Sequence, residues 1–410
     1  MSDSYRRTEL GDGLSVLTES MPGVRSASIG VWVRAGSVTE TPQVMGVSHM
    51  LEHMVFKGTA RRSAHELALV LERLGGSLDA YTTREHTSFQ ARVLDEHVDV
   101  ALDVLADLVL APALRDADLE LEREVILEEI ATVEDTPDDL VFDMHAEALY
   151  GEHPYGYSIL GTPDTVSSLT SAELRRIHAT YYRPGNMVVA AAGRVDHDCF
   201  VDQVRALFGE GRASDRAPEV AAPAAVGVTD RHVERQTAQS HMVFGTPTFG
   251  HGDPRRYALV LLSNALGGGM SSRLFQRIRE ELGLAYAVYA YQSFERSSGT
   301  AGVYVGTRPE WSAKATDVVR EELSKLARTS LSADELADAK GQVKGQVAIS
   351  LESSSARLHR LAGCALYDEP FRPLEEVVAR VDAVSADEVA ALAAEYYDPS
   401  RQTVVRLGPA

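Results

Sequence analysis

The chain has 410 residues, of which 44% are apolar and 24% charged, and its formal net charge is −20 at pH 7. This length allows a large core in two or more domains, and the acidic balance argues against nucleic-acid binding, which relies on basic surface. Two cysteines, Cys199 and Cys364, offer no disulfide framework, and no run of about twenty apolar residues occurs. The sequence therefore predicts a cytoplasmic protein without a signal peptide, a membrane span or a membrane partner.

The first predicted elements are an apolar strand at residues 28–35 and a helix that begins near residue 44. Spacing of 100° per residue puts six apolar side chains on one arc of this helix: Val44, Val47, Met50, Leu51, Met54 and Val55. His49, Glu52 and His53 fall on the opposite side. Two histidines four residues apart can converge on one zinc ion. Because the chain has 13 histidines, such a pair also arises by chance, and a third ligand has to decide.

A glycine turn, Gly75-Gly76, follows and leads into a predicted strand at residues 77–82, with a further strand at residues 88–94. Residues 119–134 are then predicted to form a helix. Its broad apolar face is formed by Leu119, Val125, Ile126, Ile130 and Val133.

Two carboxylates, Glu122 and Glu129, lie seven residues apart inside this apolar face. An unpaired buried carboxylate costs on the order of several kcal/mol, so a positive group is expected to meet them. Arginine side chains at the rim would satisfy this requirement, and so would a metal ion shared with the upstream histidines.

The order of these residues resembles a known family. His49-x-x-Glu52-His53, followed 76 residues later by Glu129, is similar to the inverted motif of the M16 zinc peptidases, which include pitrilysin, insulin-degrading enzyme and the mitochondrial processing peptidase. The resemblance covers essentially the whole chain, including residues 75–82, 122–129, 154–162, 181–187 and 273–286.

This resemblance implies one Zn²⁺ per chain, held by His49, His53 and Glu129, with Glu52 as the general base. Glu122 is then expected to orient a histidine ligand through its other ring nitrogen.

The resemblance also implies substrate-binding residues. Arg279 and Tyr286 match a pair that holds substrate and supports the reacting carbonyl, although their spacing alone suggests a helix-end arginine and a core tyrosine. The strand residues expected to pair with an extended peptide are Asp79, Ala80, Tyr81 and Thr82. Because the family commonly has asparagine at the position of Asp79, an amide donor is missing there, but the carboxylate can still accept a bond from a substrate N–H.

A linker is predicted at residues 214–228, between a zinc-binding domain at residues 1–213 and a homologous domain at residues 229–410. The second half repeats the order of the first, with strands at residues 239–247 and 299–306 and a glycine turn at Gly283. Its helix at residues 257–266 has no histidine or carboxylate, and its loop at residues 267–272 lacks the lysine of a P-loop.

The predicted fold is α+β, with two αβ sandwiches of mixed, mainly antiparallel sheets covered by helices, and the resemblance implies the LuxS/metallohydrolase-like type.

The predicted function is a zinc metalloendopeptidase that hydrolyses unfolded peptides or oligopeptides. Two alternatives are a site-specific processing peptidase and a non-catalytic subunit or scaffold, and the complete set of metal-type residues speaks against the scaffold. Large family members carry four such domains and this chain carries two, so a second chain is needed to enclose a chamber. A homodimer is expected, because the zinc motif and the Arg279/Tyr286 pair occur together here.

Overall fold

The computed structural model describes residues 4–11, 13–209, 216, 218–224 and 226–409. The chain forms two compact units, each assembled from three separate segments. The first unit combines Met1–Ile130, Ser158–Val220 and Ser350–Pro373, and the second combines Ala131–Tyr157, Ala221–Ile349 and Leu374–Ala410. Within the predicted linker, residues 214, 215, 217 and 225 lie outside the described residues, as do the predicted domain ends at residues 1, 213 and 410. The predicted linear domain boundaries stay a prediction.

The first half of the chain contains groups of consecutive strands separated by groups of helices. Its strands are β1 (Tyr5–Glu9), β2 (Ser15–Ser20), β3 (Ser26–Val33), β4 (Ser77–Thr82), β5 (Thr87–Leu94) and β6 (Met187–Gly193). Its helices are α1 (Val47–Val55), α2 (Ala64–Glu72), α3 (Val98–Leu110), α4 (Asp116–Glu134), α5 (Pro137–Tyr150), α6 (Pro163–Ser168), α7 (Ser171–Tyr181) and α8 (His197–Phe208).

The second half follows a similar plan. Its strands are β7 (Asp230–Glu234), β8 (Ser240–Thr248), β9 (Ala285–Phe294), β10 (Gly299–Thr307) and β11 (Thr403–Gly408). Its α-helices are α9 (Arg256–Gly267), α10 (Ser312–Thr329), α11 (Ala333–Ser350), α12 (Ser354–Leu366), α13 (Leu374–Ala383) and α14 (Ala386–Tyr396). A π-helix, Phe275–Glu281, precedes β9.

The two sheets share one topology. In the first unit the order is β1-β2-β6-β3-β5-β4, and in the second it is β7-β11-β8-β10-β9. Strands β2 and β6 pair in parallel, as β7 and β11 do, and the other named pairs are antiparallel. The order β7-β11-β8-β10-β9 therefore repeats β2-β6-β3-β5-β4. The predicted α+β fold with two homologous, mainly antiparallel sandwiches is confirmed.

Successive side chains on a strand point to opposite faces of the sheet. The inner strands β2, β3 and β6 of the first sheet are buried along nearly their whole length, so both faces are covered there. One face, with Ile29, Val31 and Val189, joins a core cluster with residues of α1, α3 and α8. The opposite face, with Trp32 and Val188, belongs to a separate cluster with apolar residues of α12. Helix α12 thus covers a sheet whose strands all come from the first half of the chain.

The second sheet has a matching arrangement within its own unit. Helix α5 packs on β8 and β11, and Val141 of α5 shares a small apolar cluster with Val243 and Val405. Helix α5 precedes all five strands of this sheet in the sequence. Among the described residues, no helix combines the length and the apolar character that crossing a membrane requires.

Buried His145 predicts a pH dependence of stability. This residue of α5 is 2% exposed, and its Nε2 lies 3.2 Å from the carbonyl oxygen of Thr403. Burial lowers the pKa of His145 to about 4, although the backbone hydrogen bond opposes this shift. Below the ordinary histidine pKa of about 6.5, the unfolded chain takes up a proton that the folded chain does not. The free energy of unfolding therefore decreases as the pH falls from about 6.5 towards 4.

For this histidine, the expected loss between pH 7.5 and pH 5 is about 2 kcal/mol. Urea unfolding at both pH values measures it, and the His145→Gln variant is expected to lose correspondingly less stability over the same interval. Equal losses in the two proteins would show that His145 does not contribute.

Candidate metal centre

Helix α1 places its polar stripe beside the core. Val47, Met50 and Leu51 are fully buried, as are Met54 and Val55, whereas His49, Glu52 and His53 are partly exposed. The amphipathic pattern predicted from the sequence is therefore confirmed. The helix starts three residues later than predicted, because residues 42–44 form a short 3₁₀ turn.

Three side chains converge at one point. His49 Nε2 lies 3.7 Å from one carboxylate oxygen of Glu129, and His53 Nε2 lies 3.7 Å from the other. One ligand atom from each of the three residues falls within 4.8 Å of the other two. Nitrogen and oxygen ligands bind zinc at about 2.0–2.2 Å, so two ligands in tetrahedral arrangement lie about 3.4 Å apart. The spacing of the three residues fits a zinc ion between them.

The protonation state of His49 also fits a metal ligand. Burial, together with the neighbouring His53 imidazole, lowers the pKa of His49 to about 4. Its ring is therefore neutral at neutral pH, and a neutral imidazole is the form that binds metal. The two rings meet edge to face, with centroids 4.6 Å apart.

Glu122 lies behind His53. One of its carboxylate oxygens is 3.0 Å from His53 Nδ1, and the other is 2.5 Å from Lys57 Nζ. A histidine that binds metal through Nε2 commonly donates its Nδ1–H to a carboxylate, which fixes the ring orientation. The sequence predicted a positive group near the buried carboxylates, but it did not identify Lys57.

The apolar face predicted for α4 is partly wrong. Leu119, Ile126 and Ile130 are buried, but Val125 is 44% exposed. The helix begins at Asp116 instead of residue 119, and the Glu129 side chain is 42% exposed. Val125 lies one turn before Glu129, so both follow the open side of the helix, whereas Glu122 is 5% exposed and turns towards the core.

Glu52 is held by the neighbouring strand. Thr82 Oγ1 donates a hydrogen bond of 2.6 Å to Glu52 Oε2. Burial raises the pKa of the Glu52 carboxyl above its ordinary value, although the bond from Thr82 opposes this shift. A carboxyl group with a raised pKa is suited to accept and return a proton near neutral pH.

Strand β4 occupies one edge of its sheet, and within the described residues one side of its backbone is not paired with another strand. Thr82 points towards α1, and the neighbouring Tyr81 points to the opposite face, as strand geometry requires. There the Tyr81 hydroxyl accepts a 3.4 Å bond from Trp32 Nε1, and its ring stacks on His359. Asp79 is exposed and Ala80 is half-buried. The backbone N–H and C=O groups on the open edge of this strand can form hydrogen bonds with an extended peptide.

Glu40 is a buried carboxylate at the N-terminus of α1 that the sequence reasoning missed. It is 5% exposed, and its two oxygens accept hydrogen bonds of 2.8 Å from the backbone N–H groups of Gly46 and Ser48. Gly46 has a φ of +87°, and a Cβ there would lie 2.5 Å from the Leu160 carbonyl oxygen. An acidic residue shortly before a glycine that starts a helix was the available signal, because helix N-termini attract carboxylates.

Arg279 and Tyr286 lie together in the second unit. The Arg279 guanidinium stacks between the rings of Phe275 and Tyr286, at 4.8 and 4.3 Å from their centroids, and its Nη1 donates a 3.1 Å bond to the Tyr286 carbonyl oxygen. Arg279 belongs to the π-helix, a local distortion that is frequent at functional sites. Tyr286 is 77% exposed, so the alternative of a core tyrosine is wrong.

Two family models match most of the chain. The model described as insulinase, peptidase family M16, matches residues 15–163, and the model described as peptidase M16 inactive domain matches residues 168–343. A Streptomyces coelicolor protein described as an uncharacterized zinc protease is 41% identical, with 95% of this chain and 86% of that protein covered. A Bacillus subtilis protein with the same description is 38% identical, with 96% and 95% covered.

Solved structures share the fold. A Pseudomonas fluorescens structure described as a peptidase M16 inactive domain has a TM-score of 0.93 at 22% identity, over 99% of this chain and 98% of that one. A protease from Helicobacter pylori has a TM-score of 0.90 at 22% identity, over 99% of each chain. The fold and the three converging side chains define a two-sheet αβ protein with a candidate metal centre. The chain belongs to peptidase family M16.

Proposed function

We propose that the chain is a zinc-dependent metalloendopeptidase that hydrolyses unfolded peptides. The observation that carries this proposal is the convergence of His49, His53 and Glu129 within 4.8 Å, with the partly buried Glu52 carboxyl on the helix that carries both histidines. The names of the relatives, which describe zinc proteases, support it. One zinc ion per chain is proposed.

In this mechanism His49, His53 and Glu129 hold the ion, and Glu122 fixes the His53 ring. Zinc at such a site supplies Lewis-acid chemistry, because it polarises a peptide carbonyl and lowers the pKa of water. Glu52 accepts the proton of the attacking water and passes it to the leaving amine. Thr82 occupies Glu52 Oε2, which leaves Oε1 for the proton. No covalent intermediate with the protein is needed.

Substrate binding is proposed at the edge strand β4, through the backbone of Asp79, Ala80, Tyr81 and Thr82. An extended peptide that adds to a sheet edge gains main-chain hydrogen bonds, which accept many sequences. The exposed Asp79 carboxylate accepts a bond from a substrate N–H in this scheme. Arg279 and Tyr286 are proposed to hold the peptide and donate to the reacting carbonyl oxygen.

A homodimer is proposed as the active form, since family members with four domains enclose a chamber and this chain has two. Light scattering under assay conditions is expected to give the mass of two chains. A monomeric mass for an active preparation would rule the dimer out. The cytoplasmic location expected from the sequence stays a prediction.

Substitution of Glu129, the third proposed zinc ligand, tests whether this site binds zinc. Glu129→Gln is expected to raise the zinc dissociation constant by more than about 100-fold, because changing a residue that only hydrogen-bonds to a metal ligand already costs about 10–100-fold. The measurement is chelator competition, accompanied by hydrolysis of a quenched, basic, unfolded peptide by the zinc-loaded native chain. Glu124→Gln, an exposed residue of the same helix, is the matched control and is expected to behave like the native chain.

Three results would contradict parts of the proposal. Unchanged zinc affinity in Glu129→Gln would remove this residue from the site. Absence of stoichiometric zinc in the native chain would favour the scaffold alternative, and cleavage confined to one site among unrelated peptides would favour the processing peptidase.

A further inference from the structure

Glu122 has two partners that together account for its burial. Its carboxylate is 5% exposed, with one oxygen 3.0 Å from His53 Nδ1 and the other 2.5 Å from Lys57 Nζ. The imidazole of a zinc ligand is neutral, so it cannot balance the charge of a carboxylate. Lys57 supplies a full positive charge.

The backbone of Lys57 is fixed, which directs its side chain towards Glu122. This residue lies two positions after the end of α1, and its N–H donates a 3.2 Å bond to the Met54 carbonyl. Its own carbonyl accepts a 3.2 Å bond from Arg115 Nη2. The Lys57 side chain is 35% exposed, so its stem crosses from the surface to the buried carboxylate.

The two histidines differ in whether their Nδ1 atom has a hydrogen-bond partner. His53 Nδ1 has the Glu122 carboxylate as its acceptor, whereas His49 Nδ1 is buried without a hydrogen-bond partner among the described residues. In the described part of the chain, Glu122 is therefore the carboxylate that contacts the Nδ1 of a candidate histidine ligand. Whatever holds Glu122 in place also decides whether His53 carries its proton on Nδ1 and presents Nε2 to a metal.

We infer that Lys57 is a positioning residue of the metal centre, which acts on zinc through the chain Lys57–Glu122–His53. The inference rests on the proposed zinc site and extends it by one residue outside the metal-binding motif. An uncompensated buried carboxylate is costly, so without Lys57 the Glu122 side chain leaves its position behind His53. His53 then loses the acceptor that fixes its ring orientation.

The test compares zinc dissociation constants of the full chain by chelator competition at one pH. Lys57→Met is expected to weaken zinc binding by about 10–100-fold, the range typical of losing the hydrogen-bond partner of a metal ligand. Lys57→Arg keeps the charge and is expected to recover most of the affinity. The d–d absorption spectrum of the Co²⁺-loaded protein is expected to change in Lys57→Met and not in Lys57→Arg.

A matched control comes from the second unit. Lys325 Nζ lies 2.8 Å from Glu322, whose side chain is 9% exposed, so Lys325→Met also removes a lysine from a buried glutamate. Both methionine variants are expected to lose stability, but zinc affinity is expected to fall only in Lys57→Met. Equal zinc affinity in these two variants and the native chain would overturn the inference while leaving the zinc site intact.

A double-mutant cycle separates the pathway from a general effect. In the Glu122→Gln background the buried charge is gone, so adding Lys57→Met is expected to change zinc affinity by less than about twofold. A full-sized effect of Lys57→Met in that background would show that Lys57 acts by another route and would overturn the inference. Failure of the native chain to bind zinc at all would overturn both the inference and the proposed function.

Discussion

Replacement of Glu52 by glutamine is expected to lower kcat for peptide hydrolysis by about 10²–10⁴-fold and to leave zinc bound. Glutamine keeps the size of the side chain, and its carbonyl oxygen can still accept the bond from Thr82. It cannot accept the proton of the attacking water, so the step assigned to the carboxylate is lost. Zinc content and initial rates on the quenched peptide are the measurements.

Glu72→Gln is a suitable control for this experiment, because this glutamate is exposed and is the last residue of α2. Zinc content and the unfolding temperature are expected to be similar in the native chain and both variants. Substantial peptidase activity in Glu52→Gln would assign the proton transfer to another group. Loss of zinc from this variant would instead make Glu52 part of the metal site.

The second large effect concerns Glu40, and it is an effect on folding. In Glu40→Ala the backbone N–H groups of Gly46 and Ser48 lose their acceptors in a buried position. Each unsatisfied buried donor costs about 1–3 kcal/mol, so the free energy of unfolding is expected to fall by about 2–6 kcal/mol. Urea unfolding at pH 7.5 measures this change.

Glu40→Gln provides the internal comparison, since its single carbonyl oxygen can satisfy one of the two donors, and an intermediate loss is expected. Glu72→Ala removes a surface glutamate and is expected to change stability by less than about 0.5 kcal/mol. A loss in Glu40→Ala no larger than that of Glu72→Ala would show that the N-terminus of α1 does not depend on this carboxylate.

Structural features that follow from a periodic pattern of apolar residues can be predicted from the sequence alone. The apolar arc of α1 fixed which side of the helix carries His49, Glu52 and His53. Repetition of strand and turn signals predicted two related sheets, and the observed strand orders agree with it. These features depend on neighbours within a few turns of the chain, which a single sequence displays.

The remaining features depend on contacts that no local pattern encodes. Lys57 follows the end of α1 and Glu122 belongs to α4, and the two residues are 65 positions apart in the sequence, so their pairing depends on how these two parts of the chain pack. The spacing of Val125 predicts that it faces the core, but the exposed side of α4 includes both Val125 and Glu129. Helices α5 and α12 each pack apolar side chains against a sheet, but the sequence of a helix does not specify which of two sheets it covers.

The position of α12 has a consequence for protein synthesis. Trp32 and Val188 lie on a face of the first sheet that is closed by Leu358 and Leu361. A ribosome that has translated every strand of this sheet must still add residues 354–366 before that face can be covered. Chains that end before residue 354 therefore leave this apolar face of the first sheet exposed, and chaperones and proteases recognise such surface. The first sheet is fully buried only after α12 has been synthesised.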